Sequence, residues 1–122
     1  KEGGVGMYVD NIKQITGQAI NKPGVMENVI KKVLIGPQQG WQGWVMRQFD
    51  LAENGFTPRH THPWPHINYI VSGTGTLYLD GQTYEVGPGS VAYVPDNLEH
   101  QFKNNGGGVF SFICIVPEAG DK

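Results

Sequence analysis

From Val29 onward the chain is cut into short runs of β-branched and aromatic residues, each closed by Gly, Pro or Asn. They are VIKKVLIG (29–36), WVMRQFDL (44–51), INYIVSG (67–73), GTLYLD (75–80), QTYEVG (82–87), SVAYVP (90–95), HQFKN (100–104) and GVFSFICIV (108–116). Runs of this kind fit a pleated, half-buried surface and are too short and too often interrupted for a helical bundle. Asp80-Gly81 stands between two of them, and a two-residue type I′ turn asks for positive φ at both positions. Asn54-Gly55 is expected to end the second run. About eight or more short strands at this spacing mean a sandwich or barrel, so the chain is predicted to be all-β. Residues 7–27 are mixed, with Pro23-Gly24 as a turn, and are left between strand and short helical turn.

At 122 residues and 13.4 kDa the chain makes one domain with one core. Residues 7–122 are read as that domain, and residues 1–6, KEGGVG, as a flexible N-terminus or a vector remnant. Nine Lys plus Arg against eleven Asp plus Glu leave a net charge of −2, and no basic run exceeds Lys31-Lys32. Phosphate neutralisation has nothing to work with, so no nucleic-acid partner is expected. Cys114 is the single cysteine, which removes any internal disulfide and makes a reducing cytoplasm the default location. No apolar run reaches the length of a membrane span. The glycines of GTG (73–75) and GPG (87–89) do not complete a G-x-G-x-x-G or open a helix, and are read as turns.

Three of the four histidines, His60, His62 and His66, crowd into RHTHPWPH, and the fourth is His100. On a strand, His60 and His62 would point to the same side, about 6.6 Å apart. Pro63 and Pro65 rule out a helix interior between His62 and His66, so the chain turns at Pro63-Trp64-Pro65 and re-enters a strand whose His66, Asn68 and Ile70 share a face. His100 adds a fourth imidazole from a distant strand. A bare H-x-H is weak evidence, and an isolated histidine is more often a satisfied polar residue. Here the whole histidine complement sits at strand edges, and four nitrogen donors from three segments suit a metal with open coordination positions.

Two separated stretches then resemble the motifs of the cupin superfamily, G-x5-H-x-H-x3,4-E-x6-G and G-x5-P-x-G-x2-H-x3-N. HTHPWPHINYIVSG matches the first from His60 to Gly73, with His66 at the glutamate position. GSVAYVPDNLEHQFKN matches the second through Gly89, Pro95, His100 and Asn104, with Asn97 at the inner glycine. Gly55 sits one residue too close to His60 for the first glycine. The motifs lie within 55–104, and the H-x-H-P-W-x-H form is similar to that of small single-domain bacterial cupins with a four-histidine manganese site. The resemblance implies a double-stranded β-helix, or jelly-roll barrel, and a homodimer in which an N-terminal strand is exchanged. It also implies a metal held by His60, His62, His66 and His100, with oxidative chemistry such as peroxide-driven cleavage of an alkene C=C bond.

An all-imidazole ligand set leaves the full 2+ charge on an ion, favours M(II) over M(III), and keeps two of six positions free. Mn(II) or Fe(II) is the expected cofactor, although the donors would also accept Zn(II), Ni(II) or Cu(II). No carboxylate in the first motif is placed as a general base; Asp96 and Glu99 read as solvated loop residues. The substrate pocket is assigned to Arg47, Trp64, Phe112 and Cys114. Phe110, Phe112 and Cys114 share a face, and the resemblance turns Phe112 and Cys114 toward the cavity. Cys114 is either a small buried hydrophobe or, beside a redox metal, open to oxidation. Arg47 either points inward to hold a carboxylate or peroxide oxygen, or sits exposed. Trp64 forms the pocket rim or a dimer contact. The strand after His66 is apolar on both faces, so its outer side is expected to be covered by a second barrel. Two other functions compete with oxidation of a small organic substrate: a non-redox lyase or isomerase acting on a sugar acid, and a metal-dependent ligand-binding module without turnover.

Overall fold

The computed structural model describes residues 6–121. Nine strands form one curled antiparallel sheet: β1 (Gln18–Ala19), β2 (Glu27–Ile35), β3 (Trp44–Phe56), β4 (His66–Ser72), β5 (Gly75–Leu79), β6 (Gln82–Val86), β7 (Val91–Val94), β8 (His100–Lys103) and β9 (Phe110–Pro117). The order is β6-β5-β8-β3-β9-β4-β7, with β2 on β3 and β1 on β2. Most of these strands coincide with the runs read from the sequence. Asp80 and Gly81 have φ of 48° and 90°, as the hairpin required.

β3 departs from expectation in a way that shapes the barrel. Asn54-Gly55 does not end the strand but bulges within it: Leu51 pairs with Val29 and Phe56 with Glu27, so β3 carries the extra residues. Asn54 takes φ of 65°, and a Cβ on Gly55 would lie 2.8 Å from the Ala52 carbonyl oxygen. A bulge bends its strand and strengthens the twist. β3 thereby pairs with β9 along Trp44–Leu51 and then reaches β8 at Phe56.

The core sits inside this curl. Val29, Leu51, Ile70, Leu77, Phe102, Phe110 and Phe112 form its main cluster, and Val45, Cys114 and Val116 a second. Both come from alternate positions of β4 and β9 and their neighbours, which is how period-two patterning buries one face. The outer face of β4 is not covered within the chain: Ile67 and Tyr69 are half exposed, and Val91 and Tyr93 of β7 lie beside them, more open still.

The N-terminal region is irregular. Ile12–Gln14 makes a single 3-10 turn, and the turn at Pro23-Gly24 closes through Lys22 and Met26, each N–H donating to the other's carbonyl at 2.7 and 2.8 Å. β1 pairs with the chain's own β2, Gln18 opposite Lys31. Apart from Gly6, the segment read as a flexible or vector-derived N-terminus lies outside the described residues. Among the described residues no helix is long and apolar enough to cross a membrane.

Candidate metal centre

The two histidine-bearing segments are tied together by backbone before any side chain is considered. His60 and His100 exchange N–H···O bonds of 3.2 and 3.1 Å, and the Asn97 N–H donates to the His62 carbonyl at 2.8 Å. Asn97 holds φ of 66°. That is the left-handed conformation glycine adopts freely and asparagine tolerates, which accounts for the amide at the inner glycine position of the second motif.

His60 and His62 are not on a regular strand, contrary to the sequence reading. Among the described residues the only ladder contact between β3 and β4 is the His60–His100 bridge, because Pro58, Pro63 and Pro65 offer no N–H to extend it. The convergence survives without the strand. Ring centroids of His60 and His62 are 5.0 Å apart, and His100 lies 5.0 Å from His60 and 4.7 Å from His62. The ligating nitrogens of His60, His62 and His100 fall within 4.8 Å of one another, a spacing one ion can bridge. His66, from β4, is not one of this set of three but lies beside it, with its Nε2 3.2 Å from Nε2 of His100.

The outer nitrogens are also fixed. Nδ1 of His62 contacts the Trp64 carbonyl at 2.8 Å, and Nδ1 of His100 the Leu98 carbonyl at 2.9 Å. A carbonyl can only accept, so each Nδ1 carries a proton, and in a neutral ring that leaves Nε2 as the free nitrogen. Nδ1 of His66 meets Asn68 Oδ1 at 2.7 Å in the same sense. His66 and His100 therefore aim two lone pairs at each other across 3.2 Å. Without a cation that arrangement is repulsive. Burial also keeps protons away: it pushes His60 down to about 4 and His66 down to about 3, helped by neighbouring imidazoles, and lowers His100. A divalent ion fits this donor set, and the carbonyl and amide partners are of the kind that orient metal-bound histidines.

Two consequences can be checked. Asn68→Ala removes the acceptor that orients His66 and should weaken metal binding by about 10- to 100-fold with the fold intact, measured by competition with a chelating dye. In metal-free protein the depressed pKa values make the unfolded state bind more protons, so stability is full above about pH 6.5 and is lost as pH falls toward the folded-state values. The melting temperature of apoprotein should therefore drop between pH 7.5 and pH 5, less steeply in His66→Gln; a flat profile would contradict the assignment of neutral rings.

Beside the histidines lies a cavity of about 280 Å³ bordered by Phe49, Trp64, Phe112, Cys114 and Arg47. All four residues assigned to the pocket from sequence line it. Arg47 is inward: its Nη2 donates to Cys114 Sγ at 2.9 Å and its guanidinium lies 4.9 Å from the Phe49 ring centre. Cys114 is buried at 3% exposure, and burial raises its pKa, so it is a protonated thiol rather than a thiolate. Trp64 stacks on His62 with ring centres 4.9 Å apart and planes 10° from parallel, placing it at the rim. Glu99 is outside the cavity, paired with Arg59 at 3.5 Å and bonded by the Tyr78 hydroxyl. The sequence reading did not assign Asn68 its support of His66, nor did it find Ile20, Met26, Lys31 and Gly120 on the cavity wall.

An all-β barrel with histidines converging beside an apolar cavity defines a class of small metal-competent barrels. The family model described as "Cupin domain" matches residues 47–116, and the chain belongs to that family, with its jelly-roll fold. The polyketide cyclase RemF from Streptomyces resistomycificus superposes with a TM-score of 0.84 at 29% identity, covering 91% of this chain and 79% of that one. Auxin-binding protein 1 of Arabidopsis thaliana is 25% identical over 118 residues, which is 88% of this chain. A glucose-6-phosphate isomerase of Thermococcus kodakarensis is 34% identical over 70 residues, or 51% of this chain. The chain spans 58% and 37% of the lengths of those two relatives.

Proposed function

We propose that His60, His62, His66 and His100 together hold one divalent ion, Mn(II) or Fe(II), and that the site oxidises a small organic substrate with oxygen or peroxide, alkene C=C cleavage being one such reaction. The observation that carries this reading is the pair of Nε2 atoms of His66 and His100 facing each other at 3.2 Å within a ligand set that holds no carboxylate. An ion held by neutral ligands alone would keep its 2+ charge and supply redox chemistry at the positions the histidines leave open. The chain supplies the rest. The Trp64 and Leu98 carbonyls and the Asn68 amide hold the Nδ1 protons of His62, His100 and His66 and so orient those three rings. Phe49, Phe112 and Trp64 exclude water from the substrate, and Arg47 presents a fixed positive charge to it.

A second reading is favoured by the likeness to a polyketide cyclase and to a sugar-phosphate isomerase: the ion acts as a Lewis acid and no oxidant is consumed. Protein reconstituted separately with Mn(II), Fe(II) and Zn(II) separates the two. Oxidant consumption and carbonyl product from an aryl alkene with manganese or iron, and none with zinc, support oxidation. Rearrangement of substrate with zinc as effective as manganese, and no oxidant used, supports the second reading.

The exposed Ile67, Tyr69, Val91 and Tyr93 carry a partner proposal as well: two chains pair across this face. Light scattering should give twice the 13.4 kDa chain mass, and Tyr93→Glu should return it to the monomer value.

A further inference from the structure

One wall of the cavity carries two cations, Lys31 and Arg47, beside the histidines. Lys31 of β2 and Arg47 of β3 are held on adjacent strands, Lys31 opposite Phe49 and Val33 opposite Arg47. Both approach a single carboxylate oxygen, Oδ1 of Asp121, at 2.7 Å from Lys31 Nζ and 3.5 Å from Arg47 Nη1. The three side chains are 14%, 12% and 19% exposed, so solvent screens them little.

The match is incomplete. Two cations face one anion, which leaves a positive surplus, and the buried Arg47 Nε has no hydrogen-bond partner among the described residues. A guanidinium satisfies its donors best with a carboxylate that accepts two parallel N–H bonds. The pair with Asp121 is instead a single long contact of 3.5 Å.

The cations stand on paired strands, whereas the acid stands on a short turn after β9. That 3-10 turn, Glu118–Gly120, is attached to Gly43 by Glu118 N–H on the Gly43 carbonyl at 2.8 Å and Gly43 N–H on Glu118 Oε1 at 3.2 Å, and the Asp121 N–H closes it on the Glu118 carbonyl at 3.1 Å. Just before Asp121, Gly120 crosses the aromatic rim so closely that a Cβ there would lie 2.5 Å from Trp64 Nε1.

We propose that Lys31 and Arg47 form a carboxylate subsite in which Asp121 is a built-in, displaceable occupant, and that the cavity accepts small carboxylates with an apolar, aromatic body. This rests on the reading of the cavity as the substrate cavity. The chain's own carboxylate shows that the place fits one, and Phe49, Phe112 and Trp64 suit an aromatic body. A free carboxylate enters by replacing Asp121, which draws Gly120 off Trp64. Asp121 competes as an intramolecular ligand, so the apparent affinity of any external carboxylate is reduced while it stays in place.

The test is calorimetric titration of full-length, zinc-loaded protein, which is redox-silent, with benzoate and with neutral benzyl alcohol. Asp121→Asn should tighten benzoate binding about tenfold, and Arg47→Met and Lys31→Met should each weaken it about tenfold, with benzyl alcohol unchanged within about twofold throughout. Benzoate affinity that is unchanged or lower in Asp121→Asn, or benzyl alcohol shifting as much as benzoate, overturns the proposal. So does benzoate binding that survives intact in both Met variants, since the carboxylate would then be held elsewhere. Metal content is measured on the same samples, and oxidant consumption on the same protein reloaded with Mn(II) or Fe(II). A protein that shows the benzoate pattern but never consumes oxidant refutes the oxidation reading and leaves the subsite standing.

Discussion

Replacing His100 with Ala should remove the metal and the activity together while leaving the barrel folded. His100 is the hub of the cluster: its ring lies 5.0, 4.7 and 4.9 Å from those of His60, His62 and His66. Loss of an outer hydrogen-bond partner already costs about 10- to 100-fold in metal affinity, so loss of this inner ligand should exceed about 100-fold. The backbone bonds between His60 and His100 need no imidazole and should persist. The variant also discards a buried ring that disfavours protonation, so its apoprotein should lose less stability between pH 7.5 and pH 5 than wild-type apoprotein does. Equilibrium dialysis against Mn(II), followed by elemental analysis, reads the first effect, and thermal melts read the second. Retention of one ion per chain would contradict the role given to His100.

Phe112→Ala should have the largest effect on stability, with the opposite pattern. Phe112 is 2% exposed, with its ring 4.2 Å from Phe102, 5.4 Å from Phe110 and 5.6 Å from Phe49, so it joins the core to the cavity wall. Truncating a buried Phe costs about 3–5 kcal/mol through lost burial and an incompletely collapsed cavity. That corresponds to a drop in melting temperature on the order of 10 °C, and to a lower urea midpoint with unchanged slope. The histidines and their Nδ1 partners are untouched, so the folded variant should still bind one ion. Loss of less than about 1 kcal/mol would mean that Phe112 is not packed as described. Together the two variants separate ligand chemistry from core packing at residues that share one cavity.

What could be read from the sequence follows from how local each signal is. The strands were legible because Gly, Pro and Asn cut them at their ends, and the Asp80-Gly81 hairpin because its backbone demand is confined to two residues. The same signal misled at Asn54-Gly55, where positive φ and close backbone approach serve a bulge inside β3. Only the pairing of both Val29 and Glu27 with one long strand reveals that. The histidine cluster was legible from spacing, yet the strand geometry given to His60 and His62 failed because the surrounding prolines deny the segment a ladder. Asn68 could have been tied to His66 from its position two residues away on one face; the signal was present and lacked only a reason to look. The convergence of Lys31, Arg47 and Asp121 had no local signal at all, since three distant segments meet only when the sheet curls.

Whether all four imidazoles meet on one ion can be seen by anomalous diffraction from a crystal of the Mn(II)-loaded protein, with data on both sides of the manganese absorption edge. A single peak per chain is expected at bonding distance from Nε2 of His62, His66 and His100 and from a ring nitrogen of His60. No peak there, a peak held by other residues, or an ion bound by three histidines with His66 turned away would contradict it.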